Sequence, residues 1–226
     1  LEERTAYRGE VSAEVTRRVI AYYYAMVEMI DRSVGHVLDV VQAEGALDDT
    51  LFVFCADHGE FLGDYGLWRK GAYHYDCLIR VPCFMTWTGG QQGGRRVDGL
   101  IEEIDLAPTI LGRLGMAPHP GMQGRDLAPG LAGEEEIGRP FAYTESYLAW
   151  WGPYVDCWTL RTPTAKLNYY PPDRVGHLFD LVEDPDERHD LFGVPERRDL
   201  RDEMMANLLE CVHSQKDPLP IMLSQY

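Results

Sequence analysis

The sequence predicts an α/β protein: a sheet with flanking helices, then a small antiparallel carboxyl-terminal sheet and a closing helix. Three observations predict it. Apolar residues recur at helical spacing from about Val15 to Ala43 and lead through a tight turn into the short apolar run Leu51–Cys55. A second apolar run, Val81 to Trp87, follows a long glycine-punctuated loop. Beyond residue 140 come four short aromatic segments separated by turn residues, the pattern of a small antiparallel sheet.

Each element has a local reason. In the first helix Val19, Tyr22, Tyr23, Met26, Ile30, Val37 and Val41 recur among Glu, Asp and Arg, and Glu44-Gly45 ends it. Leu51–Cys55 is continuous and apolar, the mark of a strand covered on both faces, so helix, turn and strand read as half of a βαβ unit in a parallel sheet. Val97 to Ile104 reads as a further short strand. Asp105 is placed to cap a helix through Leu114, with Pro108 in its first turn. Residues 115–140, rich in Gly, Pro and acid, read as a surface linker. Phe141–Glu145, Trp158–Arg161, Leu167–Tyr170 and His177–Leu181 are the later strands, and a helix from about Pro195 to Val212 carries the stripe Leu200, Met204, Leu208 and Leu209. The expected domains are residues 1–133, the α/β core portion, and residues 134–226, the small sheet with its helix.

Composition narrows the function classes. The chain has 226 residues, with 21 Lys+Arg against 37 Asp+Glu, a net charge of −16. An acidic surface opposes nucleic-acid binding, which needs phosphates neutralised. No apolar run reaches the roughly 20 residues of a membrane span, so no membrane is expected either. The five cysteines, Cys55, Cys77, Cys83, Cys157 and Cys211, contain no CxxC pair, and Cys55 and Cys83 read as buried small hydrophobes. The opening LEERTAYRGE has no initiator Met, which leads us to expect further sequence upstream.

The chemistry concentrates after the first apolar run, in Ala56-Asp57-His58-Gly59-Glu60-Phe61-Leu62-Gly63-Asp64. Open α/β sheets place their sites at the carboxyl ends of strands. Asp57 and His58 leave that end together, a carboxylate and an imidazole able to bind one metal ion or a pair; the plainer reading is a loop cap beside a hydrogen-bonded rim histidine. In Gly66-Leu67-Trp68-Arg69-Lys70-Gly71, Lys70 suits a tetrahedral anion as a point charge, against the plainer reading of two solvated cations. His74 reads as reaching the same pocket or packing at its edge. Tyr147, Trp150, Trp151 and Tyr154 suit a sugar or aryl subsite, or the packing of an interrupted loop.

Taken in order, ADHGEFLGDYGLWRKG, IRVP, IDLAPTILGRLG and GHLFDLVEDPDE resemble the carboxyl-terminal half of a sulfatase, of the alkaline-phosphatase-like superfamily, over about Ala21 to Leu191. The resemblance implies a partial alkaline-phosphatase-like sheet and a hydrolase of sulfate esters, acting on a small-molecule or carbohydrate sulfate. It implies that Asp57 and His58 are metal ligands and that Lys70 contacts the sulfate, with His74 a further catalytic candidate. Calcium is the family's usual ion; His58, an unusual ligand for so hard a cation, leaves magnesium, manganese and zinc open. The family's nucleophile is a formylglycine made in a C/S-x-P-x-R motif, and no Cys or Ser here has Pro two positions on. The nucleophile and the paired aspartates are therefore expected upstream. Two other readings stay open: a phosphodiesterase or phosphonate monoester hydrolase of the same superfamily, and a non-catalytic truncated domain. Exposed core surface is expected to favour self-association.

Overall fold

A computed structural model of the chain describes residues 11–87, 94–133, 135–148 and 155–215. It divides into two compact units, Leu1–Gly93 with Tyr147–Val155, and Gly94–Ser146 with Asp156–Tyr226.

The first unit opens with α1 (Ala13–Ala43), capped by Ser12, whose hydroxyl accepts from the Val15 amide at 3.3 Å. None of its residues is buried. Val19, Tyr22, Met26, Ile30, Val37 and Val40 are all exposed, and at 100° per residue they fall within about 80° of arc, one continuous apolar stripe. A short 3₁₀ turn at Leu47–Asp49 leads into β1 (Leu51–Cys55). The loop after β1 carries the candidate site and ends in the single turn of α2 (Asp76–Ile79), from which β2 (Cys83–Trp87) returns.

Here the structure corrects the sequence reading. β1 and β2 pair antiparallel, Leu51 opposite Trp87 and Cys55 opposite Cys83. The connection begins and ends at the same end of the two-stranded sheet, so it is a wide hairpin and no crossover. Nor are these strands buried. All of β1 is half-buried, and Phe84 and Cys83 on β2 are exposed, as Phe52 and Phe54 stack on Phe84 across one open face. An apolar run states what a strand would tolerate as cover; it does not supply the cover.

In the second unit, residues 97–102 form no strand and lead to a 3₁₀ turn at Glu103–Asp105, then α3 (Leu106–Arg113) and the short α4 (Ala128–Leu131). Asp105 makes no side-chain cap for α3. Its buried carboxylate points back, accepting from the Glu102 amide at 2.9 Å and the Arg125 amide at 2.7 Å, and it pairs with the Arg139 guanidinium. Arg139 also pairs with Glu102, whose other oxygen accepts from the Tyr143 amide at 2.7 Å. The 115–140 segment is thus no free linker: it contains a helical turn and is fastened at Arg125 and Arg139.

Arg139 leads into β3 (Ala142–Leu148), then β4 (Val155–Arg161), β5 (Ala165–Tyr170) and β6 (Val175–Asp180), a four-stranded sheet in chain order. Leu160, Leu167 and Leu178 stand in one row across three strands and meet Met204, Leu208 and Cys211 of α5 (Arg198–Ser214). Leu209, expected on that stripe, is exposed, and Cys211 takes the inward place one turn on. The row beside it, Thr159, Asn168 and His177, presents polar groups to the other face, where Thr159 donates to Asn168 Oδ1 at 2.9 Å. Lys166 and Glu187, both fully buried, pair on the same side. Burial, chiefly, pushes the Cys157 thiol up to about 12 despite a hydrogen bond to Thr159, which makes it inert as a nucleophile. Among the described residues no helix is long and apolar enough to cross a membrane.

Candidate functional site

The loop from Ala56 to Tyr75 is ordered by its backbone. Gly59 donates to Leu78 O at 2.8 Å, and a Cβ on Gly59 would lie 1.8 Å from the Cys77 carbonyl oxygen, so the close approach requires glycine. Phe61, fully buried, donates to Arg69 O at 3.0 Å, and Gly63 donates to Leu67 O at 2.9 Å. These bonds make a small hairpin of residues 61–69. Its tip holds Gly63 at φ 97, with the Trp68 ring against it, and Leu62, Tyr65 and Arg69 also have positive φ.

This hairpin delivers Lys70 to His58 across twelve residues of sequence, with Lys70 Nζ 2.6 Å from His58 Nε2. His58 Nδ1 lies 2.8 Å from the Gly59 carbonyl oxygen, which can only accept. The proton therefore sits on Nδ1, and Nε2 presents its lone pair, which takes the Lys70 N–H. Asp57 Oδ2 lies 3.7 Å from the same Nε2, and its Oδ1 accepts from the His58 amide at 3.0 Å. Asp57 and Lys70 both lie beside the Nε2 edge of His58, and the Asp57 side chain is 88% exposed.

The donor set fits a divalent cation in part. An imidazole whose other nitrogen is bonded to a carbonyl is the form in which histidine ligates metals. Two donors do not close a site, however, and among the described residues no group of three or more His, Cys, Asp or Glu is placed to hold an ion.

The structure brings Asp57, His58 and Lys70 together. His74 it places differently: only 4% exposed, in the interior just ahead of α2. Tyr147 is exposed on β3, while Trp150, Trp151 and Tyr154 lie outside the described residues. Sequence reasoning missed the close approach of Gly59 to the Cys77 carbonyl and the stack of Tyr65 on Tyr75, ring centroids 3.8 Å apart. Nothing local marks either one. The positive φ of Tyr65 least of all could have been anticipated, because the glycines beside it already satisfy the turn pattern.

Residues 2–116 match the family model described as sulfatase, and residues 63–214 match the one described as N-sulphoglucosamine sulphohydrolase, C-terminal. The chain belongs to the sulfatase family. It is 27% identical to the N-acetylglucosamine-6-O-sulfatase of Bacteroides thetaiotaomicron, over 88% of this chain and 36% of that protein. With the choline-sulfatase of Rhizobium meliloti the identity is 31%, over 82% of this chain and 35% of that protein. Among solved structures, the phosphonate monoester hydrolase from Silicibacter pomeroyi superposes with a TM-score of 0.85 at 27% identity, covering 93% of this chain and 44% of that one. This sulfatase-family chain thus spans less than half the length of the proteins it resembles, and corresponds to their carboxyl-terminal portion.

Proposed function

We propose that the chain is the carboxyl-terminal portion of a metal-dependent hydrolase of small-molecule or carbohydrate sulfate esters. The observation that carries this reading is the grouping of Asp57 and Lys70 about the His58 Nε2 lone pair, Asp57 Oδ2 at 3.7 Å from it and Lys70 Nζ at 2.6 Å. A protein with this set can attract an anion and hold a cation in the same few ångströms.

Asp57 and His58 supply two ligands to a divalent cation, with calcium foremost and magnesium, manganese and zinc open, and the remaining ligands come from sequence outside these 226 residues. When bound, the ion supplies Lewis-acid polarisation of the ester's sulfuryl oxygens. Asp57 balances the cation's charge, and the Gly59 carbonyl holds the His58 ring in the ligating tautomer. Lys70 leaves the His58 lone pair and turns to the ester, neutralising charge as it develops on the sulfuryl oxygens. His74 is the candidate for handing a proton to the leaving oxygen; being buried, it requires the loop to open before it meets a substrate. The nucleophile, a formylglycine, is expected in the upstream portion together with the paired aspartates.

Calorimetric titration of the chain with calcium, manganese and zinc tests this, with Asp57→Ala as the control. Weak binding that Asp57→Ala abolishes is the expected result. Binding indifferent to Asp57→Ala would remove the metal role from this loop.

The phosphonate monoester hydrolase likeness and the imidazole donor favour a second reading, in which the same site acts on phosphorus esters. Assaying the protein with its upstream portion on matched aryl sulfate and aryl phosphonate esters separates the two.

A further inference from the structure

Five backbone bonds within residues 61–69 shape the hairpin, and none of these five reaches outside it to fix where it stands. Its tip residue, Tyr65, has φ 57 and ψ 17, a left-handed conformation that an aromatic residue rarely takes and that the flanking Gly63 and Gly66 adopt at φ 97 and 71. A tyrosine kept at the strained position of a glycine-rich tip calls for a compensating contact. That contact is with Tyr75: the rings are stacked, centroids 3.8 Å apart and planes 13° apart. Tyr75 is itself fixed from behind, edge-on to the fully buried Phe61 at 6.3 Å and tilted against Tyr73 at 6.4 Å. Its carbonyl accepts from Leu78 at 2.8 Å, which ties it to the start of α2.

The stack therefore closes a loop from residue 65 to residue 75, and that loop contains Lys70 and His74. We infer that Tyr65 is a positioning residue: with Tyr75 it forms an aromatic clasp that holds the Lys70 ammonium against His58. This deepens the functional reading above and rests on it for the meaning of Lys70, though the clasp itself can be tested without any turnover. Phe61–Arg69 and Gly63–Leu67 set the hairpin's local register, and the clasp sets where the hairpin, and hence Lys70, stands relative to His58. The energy scale is adequate, because stacked aromatic pairs contribute beyond their burial and strain of this kind is of comparable size.

The test compares Tyr65→Phe, Tyr65→Gly and Tyr75→Ala in this chain by NMR. The readouts are the cross-relaxation contact between the Lys70 and His58 side chains and the hydrogen-exchange protection of the Phe61 and Gly63 amides. Tyr65→Phe keeps the ring and is expected to keep the contact. Tyr65→Gly relieves the strained φ, so any loss there arises from the missing ring and not from the backbone. It is expected to lose the Lys70–His58 contact and about tenfold of amide protection, while resonances of α5 and its sheet stay in place. Persistence of the contact in Tyr65→Gly and Tyr75→Ala overturns the clasp, as does its loss in Tyr65→Phe. If the clasp holds and Lys70→Met leaves sulfate hydrolysis by the protein with its upstream portion intact, the role given to Lys70 is what fails.

Discussion

Gly59 shows how much of the site depends on a residue that carries no chemistry. Its carbonyl oxygen decides which nitrogen of His58 is protonated, and its missing side chain lets the backbone pass the Cys77 carbonyl. A Cβ 1.8 Å from that oxygen cannot be accommodated by turning a side chain, since both partners are backbone. Gly59→Ala therefore shifts either the Asp57–Gly59 backbone or the start of α2. Overpacking of this kind costs about 1–3 kcal/mol, and we expect a lower Tm together with loss of the Nδ1–carbonyl bond. Thermal unfolding followed by circular dichroism measures the first. Nitrogen shifts of the His58 ring measure the second; an unchanged Nδ1–H tautomer in Gly59→Ala would sink the assignment. As candidates, Asp57, His58 and Lys70 were legible from the sequence, because their types and spacing are those the proposed chemistry needs. The reason Gly59 must be glycine was not, because it lies in a carbonyl eighteen residues away.

At the scale of elements, legibility followed pattern. The four strands β3 to β6 and the closing helix announce themselves through aromatic and aliphatic positions broken by turn residues, and each was found within a few residues of its expected bounds. Strand direction in the first unit was not legible, since the sense of the β1–β2 pair depends on where a long loop ends and not on either strand. The role of Asp105 was misread for a similar reason: its partners Arg125 and Arg139 are 20 and 34 residues away. That network binds the turn before α3 to the chain entering β3. Arg139 is only 9% exposed and faces two carboxylates, Glu102 and the fully buried Asp105. Removing one partner of a buried ion pair leaves an uncompensated charge and costs about 3–5 kcal/mol. Arg139→Met is therefore expected to destabilise the second unit by that order, read as a drop in the urea midpoint. Arg139→Met combined with Glu102→Gln and Asp105→Asn should recover part of the loss, because the amides need no counter-ion. A single variant as stable as the wild type would mean that solvent reaches these carboxylates.

The molecule as a whole presents more apolar surface than its secondary structure accounts for. The stripe along α1 runs from Val19 to Val40 without a buried residue, and in the same unit Phe84 leaves one face of the two-stranded sheet open. Contiguous apolar surface of this extent marks a binding face on soluble proteins, and an open-edged strand pair is marginal on its own. The net charge of −16 opposes association at long range, so burial of the stripe has to outweigh it. We accordingly expect the isolated chain to self-associate through α1, with a mass that rises with concentration in sedimentation equilibrium. Met26→Glu with Ile30→Glu should return it to a monomer without loss of helix signal, since neither side chain is buried. A constant monomer mass from micromolar to hundreds of micromolar would count against self-association. A longer polypeptide that stays monomeric, with α1 protected from exchange, would assign the stripe to packing within one chain; the relatives, of which this chain spans 35–36%, have the length to supply that cover. The two outcomes bear differently on function, because only the second brings upstream residues to Asp57 and His58 within a single molecule.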